Sequence, residues 1–299
     1  MDSRGNFYFI DAYFGLKKLS LKAKNPKPTT VMASDLLVEG HPSRFLDDLV
    51  IDERASPTNG NVIYMSDASK VWHLDEVVLL LFDREESGRI VRYDEDAKKA
   101  SVVLDNLAFP NGVELTDDGS SLLISELNKR RILRHIIKGP KKGTTEVVLD
   151  NLPGEPDNIR RSASKQETFW AALAYSRTQE RRLLFDHLDE YPVVRNLMIR
   201  LGHAAGTIIE KVGKVANLPA VATTGFAVKN WLIFPPPLVK TFRGMIIEFD
   251  IKGNILNCLH SPDAKTTLLS EVREVRKQNK RVLYLGSVCN EYLGKLELK

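Results

Sequence analysis

The sequence predicts an all-β chain of the β-propeller type, and three observations carry that prediction. A four-part strand motif recurs in fixed order along the chain. Gly- and Asp-rich turn signals separate the parts at short intervals. Equivalent positions of successive units also fall at similar spacings: Asp11, Asp67 and Glu126 lie 56 and 59 residues apart, and Asn111 and Asp157 lie 46 apart. Four short strands per unit, repeated with turns between, is how a propeller blade reads in sequence. A β-sandwich is the structural rival, and it does not predict the same four parts recurring in order.

Taken in chain order, the first unit reads NFYFIDA (6–12), GLKKLSL (15–21) and TVMASDLL (30–37). The second reads FLDDLVID (45–52), NVIYMSDA (61–68), GRIVRYD (88–94) and SVVLDNL (101–107). The third is FPNGVELT (109–116), SLLISEL (121–127), RRILRHI (130–136) and EVVLDNL (146–152). The fourth is EPDNIRRS (155–162), TFWAALA (168–174), GMIIEFD (244–250) and ILNCLHS (255–261). The fifth is LLSEVREV (268–275), RVLYLGS (281–287) and LGKLELK (293–299). Each run is short, rich in β-branched and aromatic residues, and bounded by turn formers. One prediction therefore covers residues 1–299 as a single propeller domain.

Two segments break the pattern. Residues 69–87 fall between strands of one unit and read as a short helix plus turn. Residues 176–240 form a partly helical insertion, in which Leu183, Leu184 and Leu188, then Val194, Leu197, Met198 and Leu201, keep helical spacing. Pro192 suits the first turn of the second helix, where its missing N–H costs nothing. Arg195 and Arg200 flank the apolar face. That face predicts a cap packed over the propeller rim; the competing reading is a lid or a membrane-contacting element. The insertion ends in NWLIFPPPLV (230–239), an apolar run closed by three prolines.

Composition narrows the function classes. The 299 residues are 43% hydrophobic and 27% charged, with a net charge of +4. The basic residues are dispersed and no basic run carries interleaved aromatics, so nucleic acid is not an expected partner. Cys258 and Cys289 have neither metal-ligand spacing nor the number for a disulfide framework. No signal peptide and no run of eighteen apolar residues is present.

Three residues stand at equivalent starts of first strands: Asp47 in FLDDL, Asn111 in FPNGV and Asp157 in EPDNI. In a propeller those strands line the central channel, so residues distant in sequence converge there. All three offer oxygen, which suits Ca2+, and the absence of histidine and thiolate argues against zinc. Any one alone reads as a turn cap, and Pro-Asn-Gly in particular is a turn signal. Three at matching places in successive units point to a shared ion. Such an ion acts as a Lewis acid, with Asp157 or Asp47 as nucleophile or general base. His73, in the break between strands, is a candidate for the channel mouth. No Gly-x-Ser-x-Gly elbow is present, which disfavours a serine hydrolase.

The motifs FIDAYFGL, SDASKVW, GRIVRYD, LAFPNGVELTDDGSSLLISE, RRILRHIIKGPKKGTTEVVLDNLPGEPDNIRR and FWAAL, in this order, resemble the strictosidine synthase-like family, and within it the adipocyte plasma membrane-associated type. The tail LLSEVREVRKQNKRVLYLGSV resembles the family's last blade. The family is similar to gluconolactonases, paraoxonases and diisopropylfluorophosphatase, six-bladed propellers with one axial metal. The resemblance implies a Ca2+-dependent hydrolase of aryl esters or lactones, with endomembrane, ER or plasma-membrane localisation. It also implies a metal held by a blade-one Glu, two Asn residues and an Asp. Asn111 and Asp157 match their motifs, Asp47 stands where the family has Asn, and the Glu has no counterpart. By the same resemblance the chain begins within the second blade. About five blades are then expected, the first without its innermost strand and the ring unclosed. A non-catalytic propeller that binds a partner, or a membrane surface through 176–240, is the alternative. Strictosidine synthase-type condensation is disfavoured, because Ser270 falls where that reaction uses a Glu. Glu271, one step along the strand, should face the other way.

Overall fold

A computed structural model describes residues 1–55, 60–164, 166–177, 184–230, 243–277 and 280–298. Its strands form five successive antiparallel sheets. The first holds β1 (Asn6–Asp11), β2 (Gly15–Ser20) and β3 (Thr29–Met32). A two-residue pairing of β4 (Leu37–Val38) with β5 (His41–Pro42) follows it. The second sheet is β6 (Leu46–Asp52), β7 (Val62–Asp67), β8 (Gly88–Asp94) and β9 (Lys99–Leu107). The third is β10 (Pro110–Leu115), β11 (Ser121–Glu126), β12 (Arg131–Ile136) and β13 (Thr145–Leu149). The fourth is β14 (Pro156–Arg161), β15 (Thr168–Leu173), β16 (Met245–Asp250) and β17 (Ile255–His260), and the fifth is β18 (Leu269–Lys277), β19 (Lys280–Ser287) and β20 (Gly294–Leu298). Every strand pairs with its neighbour in sequence, as the recurring four-part motif predicts. The first sheet lacks an innermost strand and the fifth has three. Among the described residues no strand of the first pairs with one of the fifth, so the sheets do not close into a ring.

The second strand of each complete sheet is apolar on both faces for a simple reason. Side chains alternate across a strand, and here each face meets a different neighbour. Leu122 and Ile124 of β11 pack with Val62, Tyr64 and Ile90 of the second sheet. Leu123, between them, packs with Ile159, Phe169 and Ile247 of the fourth. Trp170 and Ala172 turn the other way, onto Leu269, Val272 and Leu283 of the fifth. The core is thus a series of blade-to-blade layers, with Leu16, Met32, Ile63 and Met65 filling the first. Consequently β7, β11 and β15 are buried throughout, whereas β1 and β19, in the end sheets, are only partly buried.

The described chain falls into two compact units. The sheets make one, together with residues 69–74. The other comprises Asp75–Arg84 and Arg177–Thr241. It holds α1 (Val77–Asp83), α2 (Leu184–Leu188), α3 (Pro192–Val215) and α4 (Pro219–Lys229). Pro192 sits in the first turn of α3, as its chemistry suggests. The apolar face does not behave as expected. Val194, Leu197, Met198 and Leu201 are all exposed, and Arg195 is buried instead. The reason lies in α4: α3 meets it through glycines, and the bulky apolar side chains face away. Leu183 and residues 231–239 lie outside the described residues. Cys258 and Cys289 are free and exposed thiols.

Candidate functional site

The inner strands β6, β10, β14 and β18 lie beside one another in order, and each opens on the same irregularity. The ladder register shifts between Leu46 and Leu49, Pro110 and Val113, Pro156 and Ile159, and Leu269 and Glu271. A bulge frees its residues from ladder pairing and re-aims their side chains. Asp47, Asn111, Asp157 and Ser270 each follow the last regular pair. The three sequence candidates therefore occupy one equivalent position in three successive sheets, and Ser270 occupies the fourth. Pro110, Asn111 and Gly112 do not turn the chain; they belong to β10. Gly112 is required there, because a Cβ would stand 2.4 Å from the Ile159 nitrogen and 2.6 Å from the Asp157 carbonyl oxygen.

The lead-ins to these strands are pinned by carboxylates at the ends of second strands. Asp67 accepts from the Phe45 N–H at 3.2 Å, and Glu126 accepts from the Ala108 N–H at 2.8 Å. Arginines of the third strands hold both acids, Arg89 on Asp67 at 2.9 Å and Arg131 on Glu126 at 2.5 Å. Arg89 also donates to the carbonyls of Val38, His41 and Pro42. The preceding serines hold the bulges: Ser66 Oγ accepts from the Asp48 N–H at 2.9 Å, and Ser125 Oγ donates to the Asp157 carbonyl at 2.6 Å.

Burial leaves its mark on the same three positions. Asn111 is 5% exposed, and its Oδ1 is buried with no hydrogen-bond partner. Such an orphaned acceptor costs about 1–3 kcal/mol. Asp47 and Asp157 are half-buried. Loss of solvent pushes the Asp47 carboxyl up to about 7, with repulsion from Asp48 adding and Arg160 opposing. Burial also holds Asp157 well above the usual carboxylate range, and Asp47, Asp48 and Glu271 repel its charge. Two mutually repelling carboxyls, with an unsatisfied amide oxygen at the equivalent bulge position, are short of positive charge.

Sequence reasoning missed a second layer. Arg160 grips Asp48 with both terminal nitrogens, at 2.7 and 2.9 Å, and reaches Glu271 at 2.8 Å. Asp48 also accepts from the Val113 N–H at 2.9 Å. The bulge undoes simple alternation in β18, so Glu271 is not turned to the far side; it takes the place in its strand that Asp48 takes in β6 and binds the same arginine. The adjacency of Asp47 and Asp48 in FLDDL was the available signal. His73 is tied to Arg44, its Nε2 2.9 Å from Arg44 Nη1, three residues before Asp47. A cavity of about 490 Å³ lies beside Asp47 and the Arg160 clamp, with Phe7, Phe9, Asp48 and Glu114 among its walls; Asn111 and Asp157 do not line it.

The donors fit a hard cation: one neutral and two acidic oxygen side chains, with the amide unsatisfied. Among the described residues no three His, Cys, Asp or Glu side chains form a ligand group, so the amide of Asn111 is essential to any such reading.

Known proteins place the chain. The strictosidine synthase family model matches residues 48–140. Strictosidine synthase-like protein 10 of Arabidopsis thaliana is 33% identical over 301 residues, covering 98% of this chain and 67% of that protein. Adipocyte plasma membrane-associated protein of Bos taurus is 30% identical over 295 residues, covering 98% of this chain. The chain spans 61% of that bovine relative's length. Among solved structures, a candidate gluconolactonase superposes with a TM-score of 0.52 at 13% identity, over 96% of this chain and 69% of its own. The calcium-binding protein regucalcin of Agrobacterium tumefaciens superposes with a TM-score of 0.50 at 11% identity, over 97% and 68%. At these identities the likeness shows the fold, which is of the six-bladed propeller type. With a third of its residues shared across two thirds of the Arabidopsis protein, this chain belongs to the strictosidine synthase-like family.

Proposed function

We propose that the chain is a calcium-dependent hydrolase of aryl esters or lactones, acting at or near a membrane. The observation that carries this reading is the orphaned Oδ1 of Asn111, set at the same bulge position as Asp47 and Asp157. Ca2+ would be held by Asn111, Asp47 and Asp157, and when bound it supplies Lewis acidity toward an ester or lactone carbonyl. Asp47, beside the ion, is the candidate general base that takes a proton from an attacking water. Asp157 is the candidate nucleophile or second base. Arg160 pairs with both Asp48 and Glu271 and offsets one of their two negative charges. The same ion pair commits the carboxylate of Glu271, which disfavours strictosidine synthase-type condensation. Membrane association is supported by the bovine relative, which is plasma membrane-associated by name.

The experiment is Ca2+ titration by calorimetry together with phenyl acetate hydrolysis, on the wild type and on an Asn111→Leu, Asp157→Asn double variant. The reading expects saturable binding, chelator-sensitive hydrolysis, and loss of both in a variant that keeps its fold. Absence of Ca2+ binding, or equal hydrolysis by the folded variant, contradicts it.

A further inference from the structure

In the second unit α3 leaves most of its large apolar residues outside. On α3 the positions that face α4 are Gly206 and Gly213, where an added Cβ would meet the nitrogens of Lys229 and Ala222, each at 2.3 Å. From the other side Gly225 of α4 meets Glu210 in the same way, at 2.2 Å. Backbones approach this closely only through glycine. Beside this seam the inward-facing side of α3 buries Arg195, which pairs with Asp189 at 2.6 Å. The inside of the helix thus holds two glycines, Arg195 and a single large apolar residue, Ile199.

The large apolar residues face outward. Val194, Leu197, Leu201, Ile208, Val212 and Val215 are all exposed, Val215 to 89%. At 100° per residue they fall within a sector of about 60°, along a helix about 36 Å long. A soluble amphipathic helix turns such a stripe inward. The exposed charges of α3 are all cationic. Arg200, Lys211 and Lys214 lie together along one edge of the stripe, and the single acid of the helix, Glu210, is half-buried and accepts from Lys214 at 2.5 Å. Arg200 also reaches Asp83 of α1, at 2.7 Å.

We propose that this face of α3 lies in the interfacial plane of an anionic lipid bilayer. The apolar stripe would enter the acyl boundary, and Arg200, Lys211 and Lys214 would meet the headgroups. A long apolar stripe beside an edge of Lys and Arg is the pattern of an in-plane helix. No described helix is long and apolar enough to cross a membrane, which fits a helix lying on the surface. A second copy of the chain fits less well. It would bring two sets of cations to one interface, with no exposed acid on the helix to pair them. The inference is independent of the hydrolase reading, since it rests on no residue of the sheets.

Vesicle flotation of the whole chain tests it, with phosphatidylcholine vesicles that contain or lack phosphatidylserine. The wild type should float with the anionic vesicles and much less with neutral ones, and added salt should weaken it. A Leu201→Asp, Ile208→Asp variant should lose roughly tenfold or more of its partitioning, and each of Lys211→Glu and Lys214→Glu should lose about fivefold. These positions are exposed, so circular dichroism should stay unchanged. As a separate readout, Ala205→Cys in a Cys258→Ser, Cys289→Ser background takes an environment-sensitive fluorophore, whose emission should shift to the blue on anionic vesicles. Three results overturn the proposal. One is no flotation with anionic vesicles. Another is equal flotation by the folded double variant. The third is a dimer on gel filtration that the double variant disperses while vesicles bind neither form, which would put a second copy on the face.

Discussion

At the scale of single residues, the account turns on Asn111. Its buried, unpartnered Oδ1 makes the site unfavourable without a cation. Asn111→Leu, which keeps the branching at Cγ, should therefore leave the chelated protein as stable as the wild type or stabilise it by up to about 1 kcal/mol, while abolishing the rise in melting temperature on adding Ca2+. Thermal denaturation with and without chelator checks both halves. Arg160 makes the opposite prediction. Arg160→Leu strands Asp48 and Glu271, and should cost about 3–5 kcal/mol in urea unfolding; adding Asp48→Asn and Glu271→Gln should restore most of it. The contrast shows what a sequence can reveal. Asp47, Asn111 and Asp157 were legible because a repeat fixes equivalent positions and their residue types share one chemistry. The clamp of Arg160 on Asp48 and Glu271 joins three sheets, and no local pattern records a partner 112 residues away.

At the scale of elements, the strands of the five sheets were readable, because alternation and turn formers are local signals; the two-residue pairing of β4 with β5 was not, and TVMASDLL breaks after Met32. Nor were the bulges readable. An extra residue in a strand leaves the hydrophobic pattern almost unchanged, yet it decides where Asp47, Asn111 and Asp157 point, and it defeats the alternation argument at Glu271. Gly112 shows how tightly β10 and β14 fit at that point. Gly112→Ala should destabilise the protein by about 1–3 kcal/mol through overpacking and weaken Ca2+ binding as Asp157 is displaced, both measurable on one sample by unfolding and calorimetry. The helical insertion was half legible: its periodicity placed α3 and the proline at its start. The direction of its apolar face was not, because glycines, which a hydrophobic pattern ignores, chose the face that packs.

At the scale of the whole molecule, stability rests on layers between sheets, and the last layer is partly ionic. Glu274 of β18 accepts from Trp170 at 2.8 Å, from Ser162 at 2.7 Å and from Arg281 at 2.6 and 2.9 Å. Burial raises its carboxyl, but these hydrogen bonds, led by Arg281, outweigh burial and bring it down to about 2 from an ordinary 4.5. The unfolded chain then takes up the proton first as acid is added. The contribution is complete above pH 4.5 and is lost as pH falls from there toward about 2. Glu274→Gln should be less stable at neutral pH and show a shallower acid transition over that window, followed by circular dichroism. A variant whose acid transition matches the wild type would show that Glu274, with its pair to Arg281 and its hydrogen bonds from Trp170 and Ser162, does not stabilise the fold.

The most direct test of the central claim is a calorimetric Ca2+ titration of the whole chain, wild type beside Asn111→Leu. The account predicts one saturable site in the wild type and none in a folded Asn111→Leu. Binding that survives the loss of the Asn111 oxygen, or no binding by either protein, would contradict it.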